Sequence, residues 1–281
     1  MEVFETKQAL SKILSEYARE DKTIGFVPTM GALHEGHLSL IRCSKEQDDI
    51  TVVSIFVNPT QFNHQADYEK YPRLLDEDLQ ILEKEGCNIV FTPSEKEMYP
   101  EEDIRVFDFG ELDKVMEGYH RPGHFNGVAQ IVSKFFETIE PHRVYFGDKD
   151  FQQLVIIRKL VEKMNMTTEI VPCPIMRENN GLAMSSRNKR LSKEERDNAA
   201  MISQVLFKVQ KIATKYTVEE VKEMVVEELN KNPYIDVEYF EIVNEENLKP
   251  IEDWSDTYHK RACIAAWVGY IRLIDNVKFY F

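Results

Sequence analysis

Short runs of apolar, mostly β-branched residues alternate with segments of helical periodicity over the first half of the chain. The apolar runs predict strands near 23–28, 50–57, 88–92 and 143–147, and the periodic segments predict helices near 6–19, 36–47, 74–86, 125–139 and 151–165. This alternation is typical of a parallel sheet covered by helices on both faces. We therefore expect a Rossmann-like α/β domain whose ligand groups gather just past the carboxyl ends of the strands.

The regular alternation stops after a further strand predicted near 168–172. The segment 173–190 contains Pro174, the turn-forming run 179–181 and few periodic apolar positions, which indicates an irregular connection. We predict a domain boundary in this segment, with the Rossmann-like domain over 1–176 and a smaller domain over 177–281.

The remainder of the chain predicts a small α+β domain. Two helices are marked at their starts by capping boxes, Ser192 with Glu195 and Thr217 with Glu220. Strands are predicted near 235–243, 261–268 and 270–274.

Composition narrows the class of protein. The chain has 281 residues and a net charge of −14, which argues against a general nucleic-acid or anionic-membrane surface because such surfaces require a basic face. Glu2 and Glu5 and the lack of a long apolar run argue against a signal peptide or a membrane span. The four cysteines are scattered, without metal-binding spacing, so we expect reduced thiols and a cytoplasmic protein.

The segment 28–37 carries the clearest chemistry. It follows a predicted strand and opens a predicted helix, a junction that favours anion binding. Gly31 and Gly36 let the backbone approach a phosphate, and His34 and His37 can face the same side of the first helical turn. A metal site is the alternative for the two imidazoles, although their spacing differs from the metalloprotease pattern, and a purely structural turn is a third. Phosphate binding agrees best with the glycines.

Several motifs resemble those of the pantothenate synthetase (pantoate–β-alanine ligase) family. They occupy residues 28–37, 56–62, 71–73, 121–125, 147–153 and 184–188, and 272–276 fits the family's C-terminal domain. Within them, 34–37 and 184–187 resemble the HIGH and KMSKS-type signatures of the nucleotidyl-transferase superfamily, which includes the class I aminoacyl-tRNA synthetases. Asp148 and Tyr270 stand where the family more often has Glu and Thr.

The resemblance implies an ATP-dependent ligase. Pantoate would be joined to the α-phosphate of ATP with release of pyrophosphate, and β-alanine would then displace AMP from the pantoyl adenylate to give pantothenate. It also implies Mg²⁺ carried mainly on the phosphates and a homodimer. The domain over 1–176 would bind ATP and pantoate, and the domain over 177–281 would serve as a lid or dimer-associated domain. The net charge already argues against a nucleic-acid or membrane partner. The alternatives are another nucleotidyltransferase of the same superfamily and a non-catalytic ATP-binding protein.

The resemblance also assigns the nucleotide-binding residues. His37 would act as proton donor beside His34, Lys149 as a point charge on a phosphate, Asp150 as a ribose contact and Met176 as a backbone contact to adenine. The loop with Ser185, Ser186 and Arg187 would close over the phosphates. The full set of expected ATP contacts is Met30, Gly31, Ala32, Leu33, His34, Glu35, Gly36, His37, Gly147, Asp148, Lys149, Asp150, Met176, Met184, Ser185, Ser186 and Arg187. From the sequence alone, a solvated surface lysine is an equally good interpretation of Lys149.

Four residues are expected to bind the acid substrate. By resemblance, Gln61 and Gln153 bind pantoate, and amides suit a hydroxy-acid because they both donate and accept hydrogen bonds. Taken singly, an exposed surface residue is the alternative for each glutamine. Met30 would pack against the substrate's apolar part, with core packing as its alternative. Asn58 would position β-alanine or polar pantoate groups, or would simply form the turn before Pro59.

The metal ligands stay unassigned. The acidic run 76–78 could help to hold Mg²⁺, but acidic residues are also common in the first turn of a helix.

Overall fold

The computed structural model describes residues 1–63 and 65–281, which fold into two compact units. The first comprises Met1–Asp148 and Ile156–Pro174, and the second comprises Lys149–Val155 and Ile175–Phe281. The second unit thus takes in a short segment from the middle of the chain. The domain limits 1–176 and 177–281 stay a prediction.

Within the described residues, six strands form the sheet of the first unit. They are β1 Glu2–Phe4, β2 Ile24–Thr29, β3 Ile50–Ile55, β4 Ile89–Phe91, β5 Arg143–Gly147 and β6 Glu169–Cys173. Every neighbouring pair is parallel, in the order β1-β4-β3-β2-β5-β6. The Rossmann-like α/β prediction is therefore confirmed, and β1 is a strand that the sequence pattern did not show.

Helices connect these strands. They are α1 Lys7–Arg19, α2 Glu35–Gln47, α3 Gln65–Glu69, α4 Leu75–Glu85, α5 Glu95–Met98, α6 Met116–His120, α7 His124–Ile139 and α8 Phe151–Lys163. Short 3-10 turns follow β3 at Pro59–Gln61 and β5 at Asp148–Asp150. The long helices agree with the predicted ones within two residues, whereas α3, α5 and α6 are too short to show a helical period.

The strand order reverses between β2 and β5. From β2 the chain proceeds to β3 and β4 on one side, and β5 and β6 lie on the other. In open parallel sheets, ligands bind in the crevice outside the carboxyl ends of the strands at such a reversal. The turns that follow β2 and β5 are thus the expected ligand positions in this fold.

The second unit contains an antiparallel sheet and two long helices. The strands are β7 Ile235–Asn244, β8 Lys260–Val268 and β9 Ile271–Phe279, in that order, and the helices are α9 Lys193–Ile212 and α10 Val218–Asn230. Both predicted capping boxes are formed, at Ser192 and Thr217. The apolar faces of the helices and the sheet make one core, which includes Leu206, Val225 and Ile264.

Candidate active site

The turn between β2 and α2 has an unusual backbone. Gly31 and Ala32 have φ angles of 79° and 51°, both in the left-handed region. A Cβ on Gly31 would lie 2.8 Å from the Asp78 carboxylate and 3.1 Å from Ile55, so this position requires glycine for both conformation and space. Ala32 keeps its strained conformation because the surrounding contacts hold it there.

Asp78 provides those contacts. Its buried carboxylate accepts hydrogen bonds from the backbone N–H groups of Ala32 and Leu33, at 2.8 Å each. Asp78 lies in the first turn of α4, and the sequence reading left it as either a metal ligand or a helix-start acid. The structure shows that it holds the β2–α2 turn in shape.

His34 and His37 cap the start of α2 reciprocally. The Gly36 N–H donates to His34 Nδ1 at 3.1 Å, and the His34 N–H donates to His37 Nδ1 at 3.3 Å. The two ring centroids are 4.1 Å apart. Because each Nδ1 accepts a hydrogen bond, a neutral ring carries its proton on Nε2, which makes both Nε2 atoms donors.

Glu35, between the two histidines, takes part in a separate contact. Its carboxylate pairs with Arg42 further along α2, and Arg42 also pairs with Glu85 at 2.6 Å. The backbone N–H of Gly31 donates to Thr29 Oγ1 at 3.2 Å. Much of the backbone of this turn therefore already bonds to protein acceptors. The Nε2 atoms of His34 and His37 are the donors in the turn that best suit a phosphate.

Three of the four predicted substrate residues meet beyond β2 and β3. Asn58 is buried, and its Nδ2 donates to Gln61 Oε1 at 3.1 Å and to the Gly127 carbonyl at 3.0 Å. Gln61 Nε2 lies 3.1 Å from Met30 Sδ. Asn58 Oδ1 accepts from Tyr99 at 2.7 Å, so the Asn58 amide is saturated within the protein and fixes the orientation of Gln61.

Helix α7 supports this cluster in a way that sequence reasoning missed. A Cβ on Gly127 would lie 2.2 Å from the Thr60 carbonyl, so only glycine allows the helix to approach the 3-10 turn this closely. His124 Nδ1 donates to the Gln61 carbonyl at 2.8 Å. His124 belongs to the motif 121–125, which resembles the family, but no role had been assigned to it.

Tyr99 is also new to the site. Its hydroxyl bonds to Asn58, and burial raises the pKa of the phenol to about 12, so it stays protonated and donates. Nothing in the local sequence around Tyr99 pointed to this contact, since 41 residues separate the partners.

In the second unit, Lys149 and Asp150 end the 3-10 turn that precedes α8. The Lys149 ammonium lies 3.8 Å from the Asp150 carboxylate, and the Lys149 side chain is 18% exposed. It is thus half-buried and held near an acid, in contrast to the solvated lysine of the alternative interpretation. Gln153 lies in the first turn of α8 and is partly buried, while Gly147 ends β5 and Asp148 begins the turn.

The predicted segment 176–187 forms a short hairpin followed by a turn. The Met184 N–H donates to the Met176 carbonyl at 2.9 Å, and Arg177 pairs with Ala183. The hairpin thus brings Met184 of the expected ATP set next to Met176, the predicted backbone contact to adenine.

The residues after the hairpin begin a 3-10 helix, Ser186–Arg190. Ser185 is its N-cap, with its hydroxyl accepting from the Arg187 N–H at 3.2 Å. Ser185, Ser186 and Arg187 are partly buried rather than fully solvated. The predicted phosphate loop therefore leads into a 3-10 helix that Ser185 caps.

No built metal centre is found in the described residues. Over 1–63 and 65–281, no group of three or more His, Cys, Asp or Glu side chains is placed to hold a metal ion. Asp78, the buried member of the acidic run, is committed to two backbone amides. Over the same residues, the helices are all too short or too polar to cross a bilayer.

Comparison with protein families and curated proteins gives a match over nearly the whole chain. The family model for pantoate-beta-alanine ligase matches residues 2–278. Pantothenate synthetase from Bacteroides fragilis (strain YCH46) is 52% identical over 279 residues, with 99% of each chain covered. The enzyme of that name from Christiangramia forsetii is 48% identical, again with 99% of each chain covered.

Solved structures agree. Pantothenate synthetase from Thermus thermophilus superimposes with a TM-score of 0.93 at 38% identity, with both chains fully covered. Pantoate-beta-alanine ligase from Francisella tularensis, complexed with beta-gamma ATP and beta-alanine, gives a TM-score of 0.84 at 34% identity and covers 99% of this chain and 97% of that one. The chain therefore belongs to the pantoate–beta-alanine ligase family of ATP-dependent ligases.

Proposed function

We propose that the chain condenses pantoate with β-alanine at the expense of ATP, giving pantothenate, AMP and pyrophosphate through a pantoyl adenylate. The observation that carries the proposal is the family match over residues 2–278, within which the predicted motif residues occupy the turns after β2, β3 and β5. These are the positions at which a parallel sheet of this kind binds ligands.

In the first step, a pantoate carboxylate oxygen attacks the α-phosphorus of ATP. A bond forms between that oxygen and phosphorus, and the bond to the bridging oxygen breaks, so that pyrophosphate leaves with its electron pair. Such a transfer depends on positioning and charge stabilisation more than on covalent participation by the protein. The Nε2–H groups of His34 and His37 are suited to donate to phosphate oxygens, since their Nδ1 atoms are occupied by backbone donors.

The family resemblance also assigns ATP contacts to residues of the second unit. Lys149 supplies a point charge to a phosphate oxygen, and Asp150 accepts hydrogen bonds from ribose hydroxyls. Ser185, Ser186 and Arg187 donate to the phosphates, the backbone of Met176 contacts adenine, and Met184 belongs to the same ATP site. Gly147 and Asp148 shape the turn that carries Lys149.

In the second step, the neutral amine of β-alanine attacks the acyl carbon of the adenylate. The amide bond forms, the bond from the acyl carbon to the phosphate oxygen breaks, AMP leaves, and the amine loses a proton to solvent. Gln61 and Gln153 hold pantoate through both steps, and Met30 packs against its apolar part. We assign Asn58 to positioning Gln61, because its own amide is saturated by protein partners.

The remaining assignments follow from the same family membership. ATP acts as its Mg²⁺ complex, with the cation carried mainly by the phosphates. We infer a cytoplasmic protein, which agrees with free thiols at Cys43, Cys87, Cys173 and Cys263. We also infer a homodimer, which light scattering during gel filtration tests.

The test supplies ATP, Mg²⁺, pantoate and β-alanine and measures AMP. Formation of AMP that requires both pantoate and β-alanine supports the ligase, whereas AMP formed without pantoate contradicts it. Isotope exchange between pyrophosphate and ATP tests the intermediate separately. Exchange that needs pantoate but not β-alanine supports pantoyl adenylate, and exchange that needs both substrates argues for a concerted reaction.

A further inference from the structure

Two adjacent residues of the last strand, Asp275 and Asn276, reach outside the small sheet. Both are buried, with 5% and 3% of their surfaces exposed. Asn276 bonds to the turn that carries Lys149, and Asp275 bonds to the hairpin that precedes Ser185. They lie in the motif 272–276, for which the sequence suggested no function.

The Asn276 amide donates one hydrogen bond and accepts another. Its Nδ2 donates to the Lys149 carbonyl at 3.0 Å, and its Oδ1 accepts from Arg261 Nη1 at 2.6 Å. The carbonyl needs a donor and the guanidinium needs an acceptor. Only an amide of this size satisfies both, since a carboxylate has no proton to donate and an apolar side chain offers neither.

Arg261 is itself fixed from two further sides. Its Nε donates to Glu245 Oε1 at 2.8 Å, and its guanidinium lies 4.2 Å from the centre of the Phe151 ring. A continuous chain of contacts therefore runs from Glu245 through Arg261 and Asn276 to the backbone of Lys149. Arg261 also touches Phe151, the first residue of α8, two residues after Lys149.

Asp275 fixes the second segment. Its carboxylate accepts two hydrogen bonds from Arg177, at 2.6 Å from Nη1 and 2.9 Å from Nη2. Arg177 Nη1 also donates to the Gly181 carbonyl at 3.1 Å, so the same guanidinium closes the hairpin on itself. This two-pronged geometry is specific to an Arg–carboxylate pair.

We propose that Asp275 and Asn276 are positioning residues for nucleotide binding, which set the spacing between the Lys149 turn and the hairpin leading into Ser185–Arg187. Because Asp275 and Asn276 are neighbours on β9, one strand positions both segments relative to each other. Phosphate donors need to be held to within a fraction of an ångström to act together. The proposal rests on the nucleotide-binding roles given above to Lys149 and Arg187.

The first test is Asn276→Asp in the full-length chain. Aspartate keeps the size of the side chain and a partner for Arg261, but faces the Lys149 carbonyl with an acceptor. We expect roughly a 10-fold loss of affinity for a non-hydrolysable ATP analogue with Mg²⁺, measured by calorimetry, and a parallel rise in KM for ATP. The KM values for pantoate and β-alanine should change by less than about 2-fold.

Asn232→Asp is the matched control. Asn232 is a partly buried asparagine of the same unit, whose amide donates to Asn198 and accepts from the Tyr234 N–H. It bonds to neither nucleotide-binding segment in those contacts. Asn232→Asp should lower the midpoint temperature of unfolding without changing ATP affinity. The comparison therefore separates an effect on positioning from an effect on general stability.

Asp275→Asn and Arg177→Gln test the other segment independently, should Asn276→Asp fail to fold. Each should weaken binding of the ATP analogue about 5-fold, and the double variant should be little worse than either single one, because both remove one interaction. Losses that multiply instead would contradict the proposed pair.

Lys149→Ala and Arg187→Ala test the nucleotide-binding roles separately from the positioning role. If they weaken ATP binding but Asn276→Asp, Asp275→Asn and Arg177→Gln do not, the positioning role is overturned and the site assignment stands. If Lys149→Ala and Arg187→Ala leave ATP affinity unchanged, the nucleotide-binding roles fail and the positioning proposal fails with them.

Discussion

The two units hold their proposed nucleotide-binding residues by different means. In the first, His34 and His37 orient each other through backbone bonds that span two or three residues. In the second, Lys149 and the hairpin at Arg177 are held by side chains 127 and 98 residues away, on β9. The first arrangement is a property of one helix start, whereas the second exists only when the small sheet has formed.

This difference predicts different effects of substitutions in the two regions. The histidine pair needs its Nδ1 atoms as acceptors, so its geometry depends on the protonation state of the rings. The β9 contacts involve an amide and an ion pair whose geometry depends on strand register. Substitutions at the first should change chemistry with little effect on the fold, and substitutions around the second should change stability and binding together.

The largest expected effect is that of His37→Ala. We expect kcat for AMP formation to fall by roughly 10²–10⁴, through loss of a donor to the reacting phosphates, while circular dichroism stays unchanged. His142→Ala is the control, because His142 Nδ1 likewise accepts a backbone bond, from Ile24 at 3.0 Å, but lies before β5 at the opposite end of the strands. Wild-type turnover in His37→Ala would exclude the catalytic role.

Asp78→Asn tests how far the histidine turn depends on a distant residue. An amide offers one acceptor oxygen where the carboxylate has two, so one of the Ala32 and Leu33 N–H groups would face a donor. We expect about 1–3 kcal/mol of destabilisation in urea unfolding. Asp76→Asn, at an exposed position of the same helix, should change the free energy of unfolding by only about 0.3 kcal/mol. Equal losses in the two variants would show that Asp78 acts only as a helix-start charge.

Gln61→Ala probes substrate binding in the first unit. We expect KM for pantoate to rise roughly 10-fold, corresponding to the loss of one or two hydrogen bonds, with KM for ATP nearly constant. Steady-state kinetics with each substrate varied in turn provides the measurement. Similar increases in both KM values would assign Gln61 to general integrity of the site.

Glu245→Gln probes the long-range network by its pH dependence. Burial tends to raise the pKa of Glu245, but hydrogen bonds and charge from Lys278 and Arg261 outweigh it and hold the pKa below the ordinary value of 4.5. A carboxyl with a lowered folded-state pKa stabilises the fold above the ordinary value and loses that contribution as pH falls through the folded-state pKa.

We therefore expect Glu245→Gln to cost about 1 kcal/mol at pH 7, and the difference from wild type to shrink progressively below pH 4.5. Urea unfolding of both proteins between about pH 3 and 7 measures this. A difference that is constant over that range would show that the charge of Glu245 does not stabilise the network.

Much of the first unit could be predicted because its signals are local. A buried parallel strand such as β3 is a continuous apolar run, and a helix such as α2 has a period that is visible over 13 residues. The short helices α5 and α6, of 4 and 5 residues, offer no period to detect. The small strand β1 has only 3 residues and gains its pairing from β4, 87 residues away in register.

The features of the site can likewise be divided into those that depend on local sequence and those that depend on tertiary contacts. By itself, the sequence determined where the turns lie and that His34 and His37 share the first turn of a helix, because these depend on residues a few positions apart. Only the tertiary structure decided that Asp78 shapes the first turn, that Tyr99 and His124 support Gln61, and that Asn276 holds Lys149. Each of these partners is chosen by strand order and register, which bring distant residues together and leave no periodic mark along the chain.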